Sequence, residues 1–236
     1  MSQPFQRTKP SFLEAGLPCA SLSAESQRDN NARQRPPQNR LHIWWARRPP
    51  TICRAAILAG LLPYDLDLDE AVLPPVVNEP SVEDLEDLPP KLRPHRAFFE
   101  RLLTEVKPTQ LTPTHQDFIR AMGIRGDTAA AYQRIALAND YHINGRAIQM
   151  PVQWSYRHSP AFVETPSSAL IDALISRMRN LCGLAQDEKV VLLDPMAGGG
   201  SIPFEGIRYG MKVYANELNP VAALVLKAAL VPSRKS

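Results

Sequence analysis

Three consecutive glycines, Gly198, Gly199 and Gly200, stand between two carboxylates that can do chemistry, Asp194 and Glu217. The apolar run 190–193 ends in Asp194, and a second short run, 212–215, leads to Glu217. A continuous β-branched and aliphatic run is what a strand buried in a parallel sheet shows. Glycines after such a strand permit positive φ angles and leave no Cβ between backbone and ligand. A helix starting near Ser201 turns its free N–H groups toward the same crevice. Glu217, at the end of the second strand, can accept hydrogen bonds from both hydroxyls of a ribose. Strand, glycine turn, helix, strand and acid, in that order, suit a site that grips a nucleoside-containing cofactor. A glycine-rich turn in another kind of α/β protein is the competing reading.

Two common forms of such a site fit poorly. A dinucleotide fingerprint, G-x-G-x-x-G, wants a third glycine where this chain has Pro203. A nucleoside-triphosphate loop wants Lys and then Ser or Thr after its glycines, and no Lys stands there. The segment Asp194-Pro195-Met196-Ala197-Gly198-Gly199-Gly200-Ser201 instead resembles the first motif of S-adenosylmethionine-dependent amino-methyltransferases. That resemblance implies that the loop, with Asp194, Pro195, Ala197, Gly198 and Gly200, lies beside the methionine part of S-adenosylmethionine. It implies that Glu217 binds the ribose and that Asn219 belongs to the same site. It also implies that Thr165, just ahead of a helix start at Pro166-Ser167, contacts the cofactor. From the residues alone, that start is a helix cap with a core-facing stripe, since Leu170, Ile171, Leu174, Ile175 and Met178 repeat at helical spacing.

A third group of residues lies near the start, in Leu41-His42-Ile43-Trp44-Trp45-Ala46-Arg47-Arg48-Pro49. Tryptophan rings offer stacking faces, and arginines offer contacts to phosphates or bases. A tryptophan packed into a core with its arginines solvated explains the segment equally well. This segment, the helical stretch after it, and the later Asp-Pro-Met-Ala-Gly-Gly-Gly and Glu-Leu-Asn-Pro motifs resemble one family, the adenine-specific DNA methylases. Their N-terminal domain was long classed only as one of unknown function, and their longer members carry a zinc ribbon. The resemblance covers about residues 12–63 and 158–230. It implies DNA as a partner, with Trp44, Trp45, Arg47 and Arg48 as contacts.

The chain departs from that family where the reaction would occur. Amino-methyltransferases of this kind hold the target amino group with Asp or Asn-Pro-Pro followed by an aromatic residue. The Pro-Pro pairs at 36–37, 49–50, 74–75 and 89–90 lack both the acid or amide before them and the aromatic after them. No catalytic residue is therefore assigned. Cys19, Cys53 and Cys182 stand far apart, so neither a zinc ribbon nor any other metal site is expected. The chain reads as the N-terminal part or a subunit of a methyltransferase, inactive alone. Its partner would be a C-terminal half or a downstream-encoded subunit that carries the catalytic motif. A non-catalytic module binding a cofactor or nucleic acid within a larger assembly is the alternative.

The elements expected to position these residues form an α/β fold. A mainly helical region, 1–157, precedes the first part of an S-adenosylmethionine-binding domain, 158–236, with an incomplete Rossmann-like methyltransferase sheet. Helices are expected near Phe12, over 44–62 with Pro49 and Pro50 in the first turn, over 97–106, and over 115–139 with a break at 123–127. Two more are expected over 167–181 and 219–231. Residues 63–94, rich in Pro and acid, read as a long loop or insertion. The apolar fraction of 44% is ordinary for a globular protein. No run is long enough to span a membrane, the polar start is no signal peptide, and three unpaired cysteines suit a reducing cytoplasm. Net charge is only +3, but Arg28, Arg33, Arg35, Arg40, Arg47, Arg48 and Arg54 crowd the early chain, which suggests a basic N-terminal face.

Overall fold

The computed structural model of the chain describes residues 9–29, 48–151 and 154–230. It is a mixed α/β structure in which helices predominate and two small sheets hold the strands. The first helix, α1 (Phe12–Ala15), is started by a capping box in which the Ser11 N–H donates to Glu14 Oε2 at 2.7 Å. Helix α2 (Cys19–Arg28) follows. It lies in a stretch that reads as polar, because its buried face is built from Ser21, Leu22, Ala24, Glu25 and Arg28 instead of a leucine stripe. Helix α3 (Pro50–Leu61) opens at the proline pair, as the fixed φ and missing N–H of proline favour. Its expected extension over 44–47 lies outside the described residues.

Helices α4 (Arg96–Glu105), α5 (Pro113–Ala121) and α6 (Thr128–Asp140) agree with the helical periodicity. The break between α5 and α6 has a left-handed Gly123 at φ 87°, and the Asp127 carboxylate caps α6 through Ala130 N at 3.1 Å. A hairpin of β1 (His142–Ile143) and β2 (Arg146–Ala147) turns at Asn144-Gly145, both with positive φ.

The acidic segment 63–94 is irregular but not a solvated loop. In Asp65-Leu66-Asp67-Leu68-Asp69 the aspartates are exposed and the leucines buried, an alternation that lays one side of an extended chain on the core. A 3-10 turn, Val82–Asp87, then buries Leu85, which packs with Leu88, Phe99, Leu102, Ile148 and Trp154 in a small second cluster.

The C-terminal part holds α7 (Ser168–Cys182), β3 (Val191–Asp194), α8 (Ser201–Arg208), β4 (Lys212–Ala215) and α9 (Pro220–Leu230). Strands β3 and β4 pair in parallel, with Val191 opposite Lys212 and Asp194 opposite Ala215, and α8 makes the connection between them. Helix α8 covers one face of this pair. Gly206 permits the approach, since a Cβ there would stand 2.6 Å from Leu192 Cδ2 and 3.1 Å from Val213 Cγ2. On the opposite face Val191, Leu193 and Tyr214 are exposed. Among the described residues this sheet has only these two strands, so a Rossmann sheet is not evident in it. The main hydrophobic cluster is continuous from Phe12 and Leu58 through Phe118 and Met122 to Leu174, Val190 and Met211. Among the described residues, no helix is long and apolar enough to cross a membrane.

Of the arginines of the expected basic face, Arg33, Arg35, Arg40 and Arg47 lie outside the described residues. Arg28 and Arg54 are buried among carboxylates and carbonyls, whereas Arg48 is exposed. An arginine in an apolar helix such as α3 can be buried when most of its donors find acceptors, and counting charges along a sequence does not reveal that.

Candidate functional site

Strand β3 delivers Asp194 to the start of the glycine turn, where its Oδ1 accepts from Met196 N at 3.2 Å. The turn is tied to the end of β4 by Ala197 N donating to Asn216 O at 3.0 Å and Asn216 N donating to Asp194 O at 2.9 Å. Gly198 and Gly200 have φ of 53° and 79°, left-handed values that L side chains adopt only with strain. Gly200 has a second reason to be glycine, because a Cβ there would lie 2.7 Å from Leu226 Cδ1 of α9.

Glu217 closes the turn from the other strand. Its Oε2 accepts from Gly198 N at 2.6 Å and its Oε1 accepts from Asn219 N at 2.9 Å. The Asn219 and Gly198 N–H groups hold its carboxyl below the usual carboxylate range, so it is ionised at neutral pH. Each carboxylate oxygen can take a second donor. Asn219 caps α9, with Oδ1 accepting from Val221 N at 2.9 Å. Ser201, at the head of α8, is buried and its Oγ has no partner. Met196 and Leu218, 83% and 89% exposed, flank the turn with bare apolar side chains. The arrangement can accept two hydroxyl donors at Glu217 and exchange one hydrogen bond at Ser201.

The structure thus brings Asp194, Pro195, Ala197, Gly198, Gly200, Glu217 and Asn219 together at one end of the β3–β4 pair. Thr165 lies elsewhere. Its neighbour Glu164 accepts through its carbonyl from Arg208 Nη2, and Arg208 is the last residue of α8. Eight residues of helix span about 12 Å, and the glycine turn is at the far end. Thr165 lines a separate cavity with Arg54, Gly123, Glu164 and Tyr209, and no residue of the glycine turn is in its wall. Trp44, Trp45 and Arg47 lie outside the described residues, and Arg48 is exposed ahead of α3.

Sequence reasoning missed the junction between α3 and α8. The Arg54 Nε donates to Glu205 Oε2 at 2.7 Å, and its Nη1 donates to the carbonyls of Met122 and Ala161. Glu205 also accepts from Arg208 Nη1 at 3.1 Å. The Arg54 guanidinium lies 5.4 Å from the centre of the Tyr209 ring. Nearby, the Asp29 carboxylate accepts from Thr51 N at 3.0 Å and Thr51 Oγ1 at 2.9 Å, capping α3 from a distant part of the chain. Burial pushes the Asp29 carboxyl up to about 6 despite those donors. Burial also pushes the Cys53 thiol up to about 12, so it supplies no thiolate. The available signal was a charged residue inside each of two apolar helices, Arg54 in Ile-Cys-Arg-Ala-Ala-Ile and Glu205 in Ile-Pro-Phe-Glu-Gly-Ile. Among the described residues, no group of three or more His, Cys, Asp or Glu could hold a metal ion.

One family model, described as a protein of unknown function (DUF1156), matches residues 16–85. The matched stretch contains α2, α3 and the segment that packs leucines inward, and it ends well before the glycine turn. No curated protein and no solved structure matches the chain.

Proposed function

We propose that the turn 194–201 and Glu217 bind S-adenosylmethionine. In this reading the chain is the N-terminal part or a subunit of a DNA (adenine-N6) methyltransferase and transfers no methyl group alone. The observation that carries it is the Gly198 N to Glu217 Oε2 hydrogen bond at 2.6 Å. It joins the acid after the second strand to the glycine turn after the first, where a cofactor's ribose can meet both. The residues present fit the cofactor. Glu217 has free acceptor capacity for two ribose hydroxyls, the Ser201 hydroxyl is buried without a partner, and Met196 and Leu218 offer apolar surface to a purine. S-adenosylmethionine, once bound, supplies the methyl group, while this chain's residues orient it.

Two features support a partner that completes the site. The face of β3–β4 opposite α8 leaves Val191 and Leu193 51% and 67% exposed, although sheets of parallel strands are normally covered on both faces. No Asp/Asn-Pro-Pro-aromatic sequence is present to hold a target amino group. A C-terminal half or a separately encoded subunit would supply both. In the same reading Trp44, Trp45, Arg47 and Arg48 contact DNA; adenine as the target rests on the family resemblance. The missing motif equally suits a non-catalytic module of a larger assembly. Tritiated methyl transfer to DNA after co-expression with the completing partner distinguishes the two.

Calorimetric titration of S-adenosylmethionine tests the cofactor reading. Glu217→Ala should weaken binding about tenfold or more, the usual effect of losing hydrogen bonds to a charged acceptor. Equal affinity in the variant removes Glu217 from this role.

A further inference from the structure

The cavity at the C-terminal end of α8 is separate from the glycine turn and unused by the cofactor reading. Its volume is about 330 Å³, within the range of roughly 300–1,000 Å³ typical of small-molecule sites. We propose that it binds the oxyanion head, phosphate or carboxylate, of a small molecule.

Two independent features converge there. The first is Arg54, which forms part of the wall and is 1% exposed. Its Nε and Nη1 are engaged by Glu205 and two carbonyls, but its Nη2 is buried without any partner. A buried guanidinium N–H without an acceptor costs free energy that an anion recovers, and a guanidinium fork matches two oxygens of one oxyanion. The Arg54 guanidinium lies 5.4 Å from the centre of the Tyr209 ring, and the Tyr209 hydroxyl donates to Ala121 O at 2.8 Å. The second is the N-terminus of α7, a helix of 15 residues whose cap residue, Ser167, lines the cavity with Thr165 and Pro166. The first N–H groups of a helix have no partner within it, and its dipole favours negative charge there. The Ser167 Oγ accepts from Leu170 N at 3.2 Å, which leaves its own hydrogen to donate.

Arg125 supplies a second guanidinium at the wall. It is 30% exposed and its Nη1 lies 3.7 Å from Glu164 Oε1, a loose pair that an incoming anion can loosen further. Among the described residues, Glu164 is the one carboxylate in the wall, against two guanidinium groups. It repels an anion on its own side and so confines the oxyanion to the side of Arg54 and Ser167. The rest of the wall, including Val72, Leu73 and Leu170, is apolar and suits the uncharged body of the ligand.

The full chain is titrated with inorganic phosphate and, separately, with acetate, each compared with sodium chloride at matched ionic strength. Heat of binding and melting temperature are the readouts. A stoichiometric response to phosphate alone assigns a phosphoryl head, and to acetate alone a carboxylate. A response to both supports the site through charge. Arg54 also holds the fold, so two surface variants carry the test. Arg125→Gln should weaken binding about tenfold, as expected for loss of a charged hydrogen-bond donor. Ala71→Trp, at an exposed position of the rim, should abolish binding without changing the melting temperature of the free protein. Glu217→Ala should leave it intact, because the proposal does not depend on the glycine turn. No response beyond that of chloride overturns the proposal. So does a response that survives both rim variants, or one lost in Glu217→Ala.

Discussion

The two ends of α8 are surrounded in opposite ways. Toward its C-terminal end, Glu205 and Arg54 are nearly inaccessible and held by one another, by Arg208 and by backbone carbonyls. Around its N-terminal end and the sheet it covers, the large side chains of Leu193, Met196 and Leu218 face solvent. Charge is inside at one end and apolar surface is outside at the other. A buried ion pair tolerates its desolvation only when its remaining donors and acceptors are nearly all satisfied, and at the first end Arg54 Nη2 is the one guanidinium nitrogen of the Arg54–Glu205 pair left over. A group of bare apolar side chains on a two-stranded sheet is the kind of surface a further element can cover. The N-terminal helices close their own core, while the outer face of the β3–α8–β4 unit is bare, and in the proposed reading a partner covers it.

Breaking the closed end should have the largest effect. Arg54→Ala leaves the Glu205 carboxylate buried with Arg208 as its remaining cation. Loss of one partner from a buried pair costs about 3–5 kcal/mol. Urea unfolding measures it, and a loss below about 1 kcal/mol would show that the junction is not what closes this core.

The pH dependence sharpens the same point. The Asp29 carboxyl is raised from 3.8 to about 6 by burial. A group raised in the folded state contributes stability below its unfolded pKa and loses it as pH rises through the folded value. His158 is pushed down to about 4, by burial first and the Arg28 guanidinium second. Its contribution is present above 6.5 and is lost as pH falls toward 4. Between pH 4 and 6 the two slopes oppose each other. Asp29→Asn removes one of them, so the variant should gain stability relative to wild type across that window, on the order of 3 kcal/mol by pH 7. Parallel pH profiles for the two proteins would refute the assignment to Asp29.

Two helical glycines make the smallest contrast. Gly206→Ala must push against Leu192 and Val213, and overpacking of this kind costs about 1–3 kcal/mol, offset in part by helix propensity. Gly60, in α3, has nothing within 4 Å of an added Cβ, so Gly60→Ala should gain up to about 1 kcal/mol. Melting curves of the two variants should therefore move in opposite directions. A stabilised Gly206→Ala would mean that α8 does not rest closely on the sheet.

The parts legible in the sequence are local ones. The run before Asp194, the glycines, the helix start at Ser201 and the acid at 217 lie within 28 residues, and their order alone dictates strand, turn, helix and strand. The proline pair that opens α3 and the break at Gly123 are equally local. The junction was not legible, because Arg54 and Glu205 are 151 residues apart and only the fold pairs them. Helix α2 was hidden for a related reason, as its buried face is half polar and its partners, His158 and Ala161, come from far along the chain. Thr165 was assigned to the cofactor only through the family resemblance, and its position depends on how the intervening chain folds. It precedes the glycine motif closely in sequence, yet the chain between them runs through α7, and its segment packs on the opposite end of α8.

The claim that the glycine turn is a cofactor site is tested most directly by crosslinking. The full chain is irradiated with methyl-tritiated S-adenosylmethionine and its tryptic peptides are mapped. Label is expected in the peptides 190–208 and 213–227, which contain the turn and Glu217, and it should be lost in Glu217→Ala. Absence of label, or label confined to the peptides 55–91 and 158–177, would contradict the account.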